Sequence, residues 1–270
     1  MFAGLDLGSR SVKIALREED NSLKLDKFDT MEFYRKYGRT SGGEFALDVD
    51  AIGLPAAGPA ITATGYGRHT VKVKGAKVIP EIKAHVLGAI CLTGLSDFTL
   101  LDLGGQDSKV ALVRGKRLVD FMTNDKCAAS TGRYLENMAA ALNISLAELS
   151  RHHLSPVELV STCAIFGESE LIGKVVEGNS ISALAAGVNH SIFKRILPML
   201  VKLSSETIVF TGGVAYNHAL VQIIKENTAA SVIVPENPEY AGAIGCCADA
   251  GGIWKISESA EIFGVNSLWK

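Results

Sequence analysis

Apolar residues recur with two different spacings along the chain, and these spacings predict where strands and helices lie. Short apolar runs typical of buried strands occupy Phe2–Leu7 and Phe98–Leu103. Each run is followed by a turn and then by a second apolar segment, at 12–16 and 109–113 respectively. Each half of the chain is therefore predicted to open with a β-hairpin.

Outside the hairpins, apolar spacing of three to four residues predicts helices, most of them in the second half. The predicted helices are 85–92, 132–142, 146–150, 164–177, 181–203 and 217–227, and further strands are predicted at 61–65, 78–79, 206–211 and 231–234. Residues 20–60 show no clear period and are predicted to be irregular. Alternating strands and helices favour an α/β fold.

Composition narrows the class of protein. Of the 270 residues 47% are hydrophobic and 21% are charged, as in a soluble globular protein. The net charge is −2, and the lysines and arginines are spread along the chain without forming a basic stripe, which argues against nucleic acid as a partner. No apolar run reaches the length of a membrane span, so we expect a cytoplasmic protein without a membrane partner. Its five cysteines are then expected to be reduced, and any functional one to be a metal ligand or a reactive thiol.

The two predicted hairpins are copies of one sequence pattern. Residues 5–16 read LDLGSRSVKIAL and residues 101–112 read LDLGGQDSKVAL, with seven of twelve positions identical. Common turn chemistry would not place aspartate at the same strand position twice. We therefore interpret the repeat as an internal duplication.

Each copy places a carboxylate at the end of a strand with a glycine close behind it. Asp6 and Asp102 suit Mg²⁺, directly or through water, and the glycines let backbone N–H groups approach a phosphate. Lys13 and Lys109 are candidates for neutralising phosphate charge, although for Lys109 a solvated surface position is equally expected. The candidate nucleotide-binding residues of the two turns are Gly8, Ser9, Arg10, Ser11, Lys13, Gly104 and Gly105.

Two further features complete the candidate nucleotide site. Gln106 and Asp107 lie on the second turn and are candidate catalytic residues that orient an attacking water. Later in the chain, a predicted strand runs into paired glycines and a helix, an arrangement that suits a nucleoside or phosphate at a helix N-terminus. The candidate binding residues there are Gly212, Gly213, Val214 and Asn217.

In this order, the three segments resemble the phosphate-1, phosphate-2 and adenosine motifs of the actin, Hsp70 and sugar-kinase superfamily. The resemblance implies two RNase-H-like lobes with ATP and Mg²⁺ in the cleft between them. Residues 238–245 resemble that superfamily's last connecting helix. The first lobe is therefore expected to comprise 1–84 plus 241–270, and the second 85–240.

Two cysteines precede predicted helices, where helix N–H groups lower the pKa of a thiol and favour bound anions. Taken singly, Cys127 and Cys163 would more often be buried structural thiols. A [4Fe–4S] cluster commonly has four cysteine ligands, which a symmetric dimer would supply by presenting both residues twice. Cys91, Cys246 and Cys247 lie in apolar helical segments and are predicted core residues.

Longer motifs around these cysteines point to one family. The segments at 63–68, 102–109, 124–133 and 161–166 resemble the activators of 2-hydroxyacyl-CoA dehydratases and the ATPase subunits of benzoyl-CoA reductases. The resemblance implies a homodimer bridged by one [4Fe–4S] cluster, with Cys127 and Cys163 as ligands. It also implies that binding and hydrolysis of ATP to ADP drive one low-potential electron to a partner dehydratase, benzoyl-CoA reductase-like or double-cubane cluster enzyme. The expected electron donor is ferredoxin or flavodoxin.

A Thr-Gly turn follows the first of these cysteines. Thr131 and Gly132 resemble turns that touch phosphate in related kinases, so this segment is expected to respond to both nucleotide and cluster. The chain departs from the family at Ser130, where glycine is usual, and at Arg10 and Val12, where threonine is favoured. A cysteine often found before the connecting-segment histidine is replaced by Ala84.

Two alternatives remain open from the sequence. A small-molecule kinase of the same superfamily would use Asp107 as a catalytic base and would hold no iron. A nucleotide-dependent scaffold or filament protein would polymerise with ATP, and only the analogy of fold favours it.

Overall fold

The computed structural model describes residues 1–20, 22–54, 60–124, 131–160, 164–254 and 261–262. Their strands are β1 Phe2–Leu7, β2 Ser11–Arg17, β3 Leu23–Asp29, β4 Gly38–Ser41, β5 Glu44–Leu47, β6 Ile61–Thr64, β7 Val71–Val73, β8 Lys77–Val78, β9 Phe98–Leu103, β10 Ser108–Arg114, β11 Arg117–Asn124, β12 Thr207–Thr211, β13 Ser231–Ile233 and β14 Glu261–Ile262. Their α-helices are α1 Thr30–Tyr37, α2 Val49–Ile52, α3 Glu81–Thr93, α4 Gly132–Ala141, α5 Leu146–Leu149, α6 Ala164–Val176, α7 Ile181–Lys202, α8 His218–Asn227 and α9 Ala241–Gly251. Short 3-10 helices span Tyr66–His69, Gly213–Tyr216 and Pro238–Tyr240.

The described residues form two compact units. The first contains those within Met1–Ser96, Gly115–Leu118 and Pro235–Asn266, and the second those within Asp97–Arg114 and Val119–Val234. No helix among the described residues is long and apolar enough to cross a membrane.

The first unit is built on a mixed sheet with strand order β14-β3-β2-β1-β6-β8 and a smaller sheet β4-β5-β7. Strand β1 pairs antiparallel with β2 and parallel with β6, so the end of β1 lies in the middle of the larger sheet. Leu5 and Leu7 are fully buried, while Asp6 between them points to the opposite face.

The boundary of the first unit differs from the expected division after residue 84. Helix α3 groups with the first unit because it packs closely on α9. The contact is so close that a Cβ added to Gly245 would overlap the carbonyl oxygen of Ala84. Helices α3 and α9 therefore belong to the same unit, because separating them would expose the surface that they bury against each other.

The second unit repeats the strand arrangement. Its sheet has the order β11-β10-β9-β12-β13, with β9 antiparallel to β10 and parallel to β12. Helices α4, α7 and α8 supply much of its core, and α7 begins where the hydroxyl of Ser180 accepts a hydrogen bond from the amide of Ala183 (3.3 Å). An antiparallel hairpin continued by parallel strands on one side is therefore common to both units.

The predicted hairpins, the later strands and the helices of the second half are confirmed to within a few residues, but the prediction that 20–60 is irregular was wrong. This region contains β3, α1, β4, β5 and α2. Each element is too short to establish a period by itself. Strand β3 gains its order from seven residue pairs with β2, and α1 begins where the side chain of Asp29 accepts hydrogen bonds from two backbone amides.

Candidate nucleotide site

One candidate site lies around Asp6 near the end of β1. We call Asp6, Lys13, Thr64 and Gly65 the first half-site. The carboxylate of Asp6 is 3% exposed, and its Oδ2 lies 3.7 Å from Nζ of Lys13, the residue opposite it on β2. The other oxygen, Oδ1, is buried and has no hydrogen-bond partner among the described residues. Because an uncompensated buried carboxylate oxygen is costly, this atom fits a bound cation or its water, as expected for Mg²⁺.

Glycine at position 65 keeps the approach to Asp6 open. Strand β6 pairs Thr64 with Asp6, and the chain then turns at Gly65 with φ +95°. A Cβ there would lie 2.7 Å from Asp6 Oδ1, so any side chain would strain the backbone and press on the carboxylate. Thr64 and Gly65 thus lie beside Asp6 on the side opposite Lys13.

The β1–β2 turn is fastened to the beginning of α1. The hydroxyl of Thr30 donates to the carbonyl of Gly8 at 2.8 Å. Arg10 Nη1 lies 3.3 Å from Asp29 Oδ2. Ser9 is half-buried within the turn, and Ser11 is buried at the start of β2.

Tyr34 shows the reach of the Asp6 charge. Burial raises the pKa of Tyr34 to about 12, and the negative charge of Asp6 adds to the shift. Tyr34 also stands next to Gly67, where an added Cβ would lie 2.6 Å from the phenol oxygen. The phenol therefore stays neutral beside the first half-site.

The second half-site has the same plan around Asp102, which is 1% exposed. Lys109, opposite it on β10, places Nζ 3.6 Å from Asp102 Oδ2 and 2.6 Å from Asp107 Oδ2. The hydroxyl of Thr211 on β12 donates to Asp102 Oδ1 at 2.9 Å. Lys109 is thus a buried counter-ion for two carboxylates, so the alternative of a solvated surface position is wrong.

A glycine again follows the parallel strand. Gly212 has φ +85°, and a Cβ there would overlap the carbonyl oxygen of Leu103. A 3-10 helix follows Gly212, as another follows Gly65. The duplication therefore extends to a Thr-Gly pair, at 64–65 and at 211–212, which lies too far from each hairpin in the sequence to be predicted as part of the repeat.

The candidate catalytic residues lie on the second turn. Gln106 is exposed, while Asp107 is half-buried and ion-paired with Lys109. The backbone amide of Gly104 donates to the carbonyl of Asp107 at 3.0 Å, which closes the turn. Gln106 is therefore the more accessible of the two side chains.

The second turn is hydrogen-bonded to the beginning of α4. The amide of Gly132 donates to the carbonyl of Gly104 at 2.9 Å, and that of Arg133 to the carbonyl of Gly105 at 3.0 Å. These two helix N–H groups are committed to the turn rather than open to an anion. Thr131, just before them, is fully buried.

The structure does not support a nucleotide contact for the side chain of Asn217. This residue is fully buried, and its Nδ2 donates to Asn189 Oδ1 at 2.8 Å. Its Oδ1 accepts a hydrogen bond from the amide of Leu220 at 3.0 Å and so caps α8. Val214 is also buried, whereas no atom of the described residues beyond its chain neighbours lies within 4 Å of a Cβ added to Gly213, so this position has room for a ligand.

The two cysteines expected to hold a cluster, Cys127 and Cys163, lie outside the described residues, as does Ser130. No group of three or more histidine, cysteine or acidic residues that could hold a metal ion occurs within the described part of the chain. Cys246 and Cys247 are fully buried, and burial raises the pKa of both thiols, that of Cys247 to about 12. Cys91 is buried as well, and all three cysteines are confirmed as core residues.

Comparisons with known proteins agree on one group of relatives. Residues 3–248 match the family model described as the BadF/BadG/BcrA/BcrD ATPase family. The chain is 34% identical over 250 residues to an activator of lactoyl-CoA dehydratase from Anaerotignum propionicum, covering 90% of this chain and 94% of the relative. It is 34% identical over 187 residues to the (R)-2-hydroxyglutaryl-CoA dehydratase activating ATPase of Acidaminococcus fermentans, covering 68% and 72%.

A solved structure has the same fold. The activator of the 2-hydroxyisocaproyl-CoA dehydratase from Clostridium difficile, with bound ADPNP, superposes with a TM-score of 0.78 at 29% identity. The superposition covers 92% of this chain and 93% of the activator. It confirms the expected α/β, actin-like ATPase fold.

Proposed function

The chain belongs to the BadF/BadG/BcrA/BcrD ATPase family, and we propose from this premise that it is an ATP-hydrolysing activator that transfers one low-potential electron to a partner enzyme. The partner is a cluster-containing enzyme of the 2-hydroxyacyl-CoA dehydratase, benzoyl-CoA reductase or double-cubane type. Ferredoxin or flavodoxin supplies the electron.

The repeated half-site carries the nucleotide part of the proposal. Each unit carries an aspartate next to the last residue of a buried strand, pairs it with a lysine across the hairpin, and continues into a turn that begins with glycine. The buried, unpartnered oxygen of Asp6 fits Mg²⁺ or its water. We propose that Asp6 and Asp102 bind the metal of Mg-ATP, directly or through water, and that Gln106 orients the attacking water.

Cys127 and Cys163 are the proposed ligands of one [4Fe–4S] cluster shared by two subunits. Helix α6 begins at Ala164, directly after Cys163, and α4 begins at Gly132, shortly after Cys127. The N-terminus of α6 favours the anionic thiolate that a cluster requires of Cys163. When bound, the cluster supplies the one-electron redox chemistry.

The hydrogen bonds between the second turn and α4 support a coupling between nucleotide and cluster. The amides of Gly132 and Arg133 are tied to Gly104 and Gly105, so a movement of the turn is passed to the beginning of α4. The segment that carries Cys127 leads directly into this helix start. A change of nucleotide state would therefore alter the position of the cluster ligand Cys127.

Iron content and ATP hydrolysis test the proposal together. Protein purified without oxygen should be brown, contain about four iron atoms per dimer and hydrolyse ATP. ATP hydrolysis without iron would instead favour the kinase alternative. Protein that contains iron but neither binds nor hydrolyses ATP would contradict the role of the half-sites.

Cysteine variants identify the ligands. Cys127→Ala and Cys163→Ala should each lose the iron and the electron transfer while nucleotide affinity stays largely unchanged. Cys91→Ala is the matched control. Because Cys91 is a buried core thiol and not a proposed ligand, this variant protein should retain its iron. A Cys127 or Cys163 variant that retains a full complement of iron would remove that residue from the ligand set.

A further inference from the structure

The β1–β2 turn carries an arginine, Arg10, that is paired with a carboxylate already engaged elsewhere. Asp29 Oδ1 accepts hydrogen bonds from the amides of Met31 (2.9 Å) and Glu32 (3.2 Å), which caps α1. Its second oxygen, Oδ2, lies 3.3 Å from Arg10 Nη1. One carboxylate therefore performs two separable tasks, one for the helix and one for the turn.

The two contacts between α1 and the turn differ in permanence. The bond from Thr30 to the carbonyl of Gly8 is between neutral groups, and Thr30 is buried, so it fixes the turn backbone. The Arg10–Asp29 pair is open to water, with side chains 41% and 38% exposed. Exposed ion pairs of this kind contribute little to stability and are readily exchanged.

A bound polyphosphate would compete strongly for this arginine. Arg10 lies two residues beyond Gly8, in the turn that the proposed function assigns to phosphate. A di- or triphosphate offers several charged oxygens in the bidentate geometry that guanidinium prefers, whereas Asp29 offers one oxygen. Releasing Arg10 leaves the α1 cap intact, because Oδ1 keeps both amide bonds.

We propose that Asp29 holds Arg10 as an exchangeable latch, and that a nucleoside di- or triphosphate takes the guanidinium from Asp29 when it binds. This rests on the proposed nucleotide site. Arg10 then contributes to affinity for phosphate, and Asp29 lowers that affinity by competing for Arg10.

A double-mutant cycle on the full-length, iron-containing protein tests the latch, with ADPNP and ADP affinities as the readout. Asp29→Asn keeps the cap, because asparagine is an equally good N-cap residue, but removes the Asp29 charge that pairs with Arg10. It should tighten nucleotide binding by about two- to fivefold. Arg10→Gln should weaken binding by about tenfold or more, and Asp29→Asn made in that background should give no further gain.

A matched control exists in the same unit. Asp48 caps α2 by accepting from the amide of Ala51 at 3.1 Å and lies 4.0 Å from Arg39 Nη2. Asp48→Asn should leave nucleotide affinity unchanged.

The outcomes separate the latch from the site. An equal gain from Asp29→Asn with and without Arg10 would overturn the latch and leave a simple field effect of Asp29. Wild-type affinity in both single variants would overturn it as well. A wild-type protein that binds neither nucleotide would contradict the proposed function itself.

Discussion

The two units carry the same four-residue arrangement, aspartate, cross-strand lysine, threonine and glycine, but they complete it differently. In the second unit Thr211 donates to Asp102 (2.9 Å), and Lys109 pairs with Asp102 and Asp107. In the first unit the threonine at the matching position, Thr64, donates instead to the carbonyl of Ile79 (3.0 Å).

Because of this difference, the carboxylate of Asp102 has protein partners on both oxygens, whereas that of Asp6 has one buried oxygen without a hydrogen-bond partner among the described residues. A duplicated site can therefore keep its backbone plan while one copy holds its aspartate through protein side chains and the other leaves a carboxylate oxygen for a ligand. The following predictions test this contrast.

The largest effect is expected from removing the buried lysine of the second half-site. Lys109→Met leaves Asp102 and Asp107 without their cation and should lower the free energy of unfolding by about 3–5 kcal/mol. Lys13→Met should cost about 1 kcal/mol, because only one carboxylate loses its partner and the 3.7 Å contact is loose. Urea denaturation measures both.

The control for these lysine variants is Lys24→Met, which breaks an exposed pair with Glu18 and should change stability by no more than about 0.5 kcal/mol. A Lys109 variant as stable as this control would show that the second half-site is not held by its ion pairs.

The glycines after the parallel strands should tolerate no side chain in either unit. Gly65→Ala and Gly212→Ala should each destabilise the protein by about 2–4 kcal/mol, through positive φ and overlap with the preceding hairpin. Gly213→Ala, with open space around it, is the control and should unfold near the wild-type urea concentration. Equal stability of all three variants would contradict the shared backbone plan.

The threonine substitutions address the contrast directly. Thr211→Val withdraws a hydrogen bond from a buried carboxylate and should cost about 2 kcal/mol. Thr64→Val withdraws one from a neutral carbonyl and should cost about 1 kcal/mol. Thermal or urea unfolding of the pair measures the difference, and a reversed order would mean that Asp102 does not depend on Thr211.

The smallest effect concerns Tyr34 beside the first half-site. Because burial is the main cause of its raised pKa, Asp6→Asn should lower that pKa from about 12 only slightly, as followed by ultraviolet absorbance of the phenolate. Because the pKa of Tyr34 is higher in the folded protein than its usual value of 10.0, the neutral phenol contributes its full stability below pH 10, and this contribution is lost as pH rises to about 12. A large fall in the pKa of the Asp6 variant would assign the shift to charge rather than burial.

Much of the fold follows from local patterns that the sequence shows directly. Both hairpins, Asp6, Asp102 and the cross-strand lysines could be placed because they are a few residues apart and repeat with the period of a strand. The short elements between 20 and 54 could not, because each depends on pairing with a neighbour rather than on its own period.

The sequence by itself determined the duplication, the α/β pattern and the aspartates near the ends of β1 and β9, because strand period and turn residues can be read from consecutive positions. Only the tertiary structure decided which partner each group takes. Thr211 donates a hydrogen bond to Asp102, 109 residues away in the sequence, and the buried side chain of Asn217 donates to Asn189. Such choices depend on which side chains meet when sheets and helices pack, and chain order does not specify them.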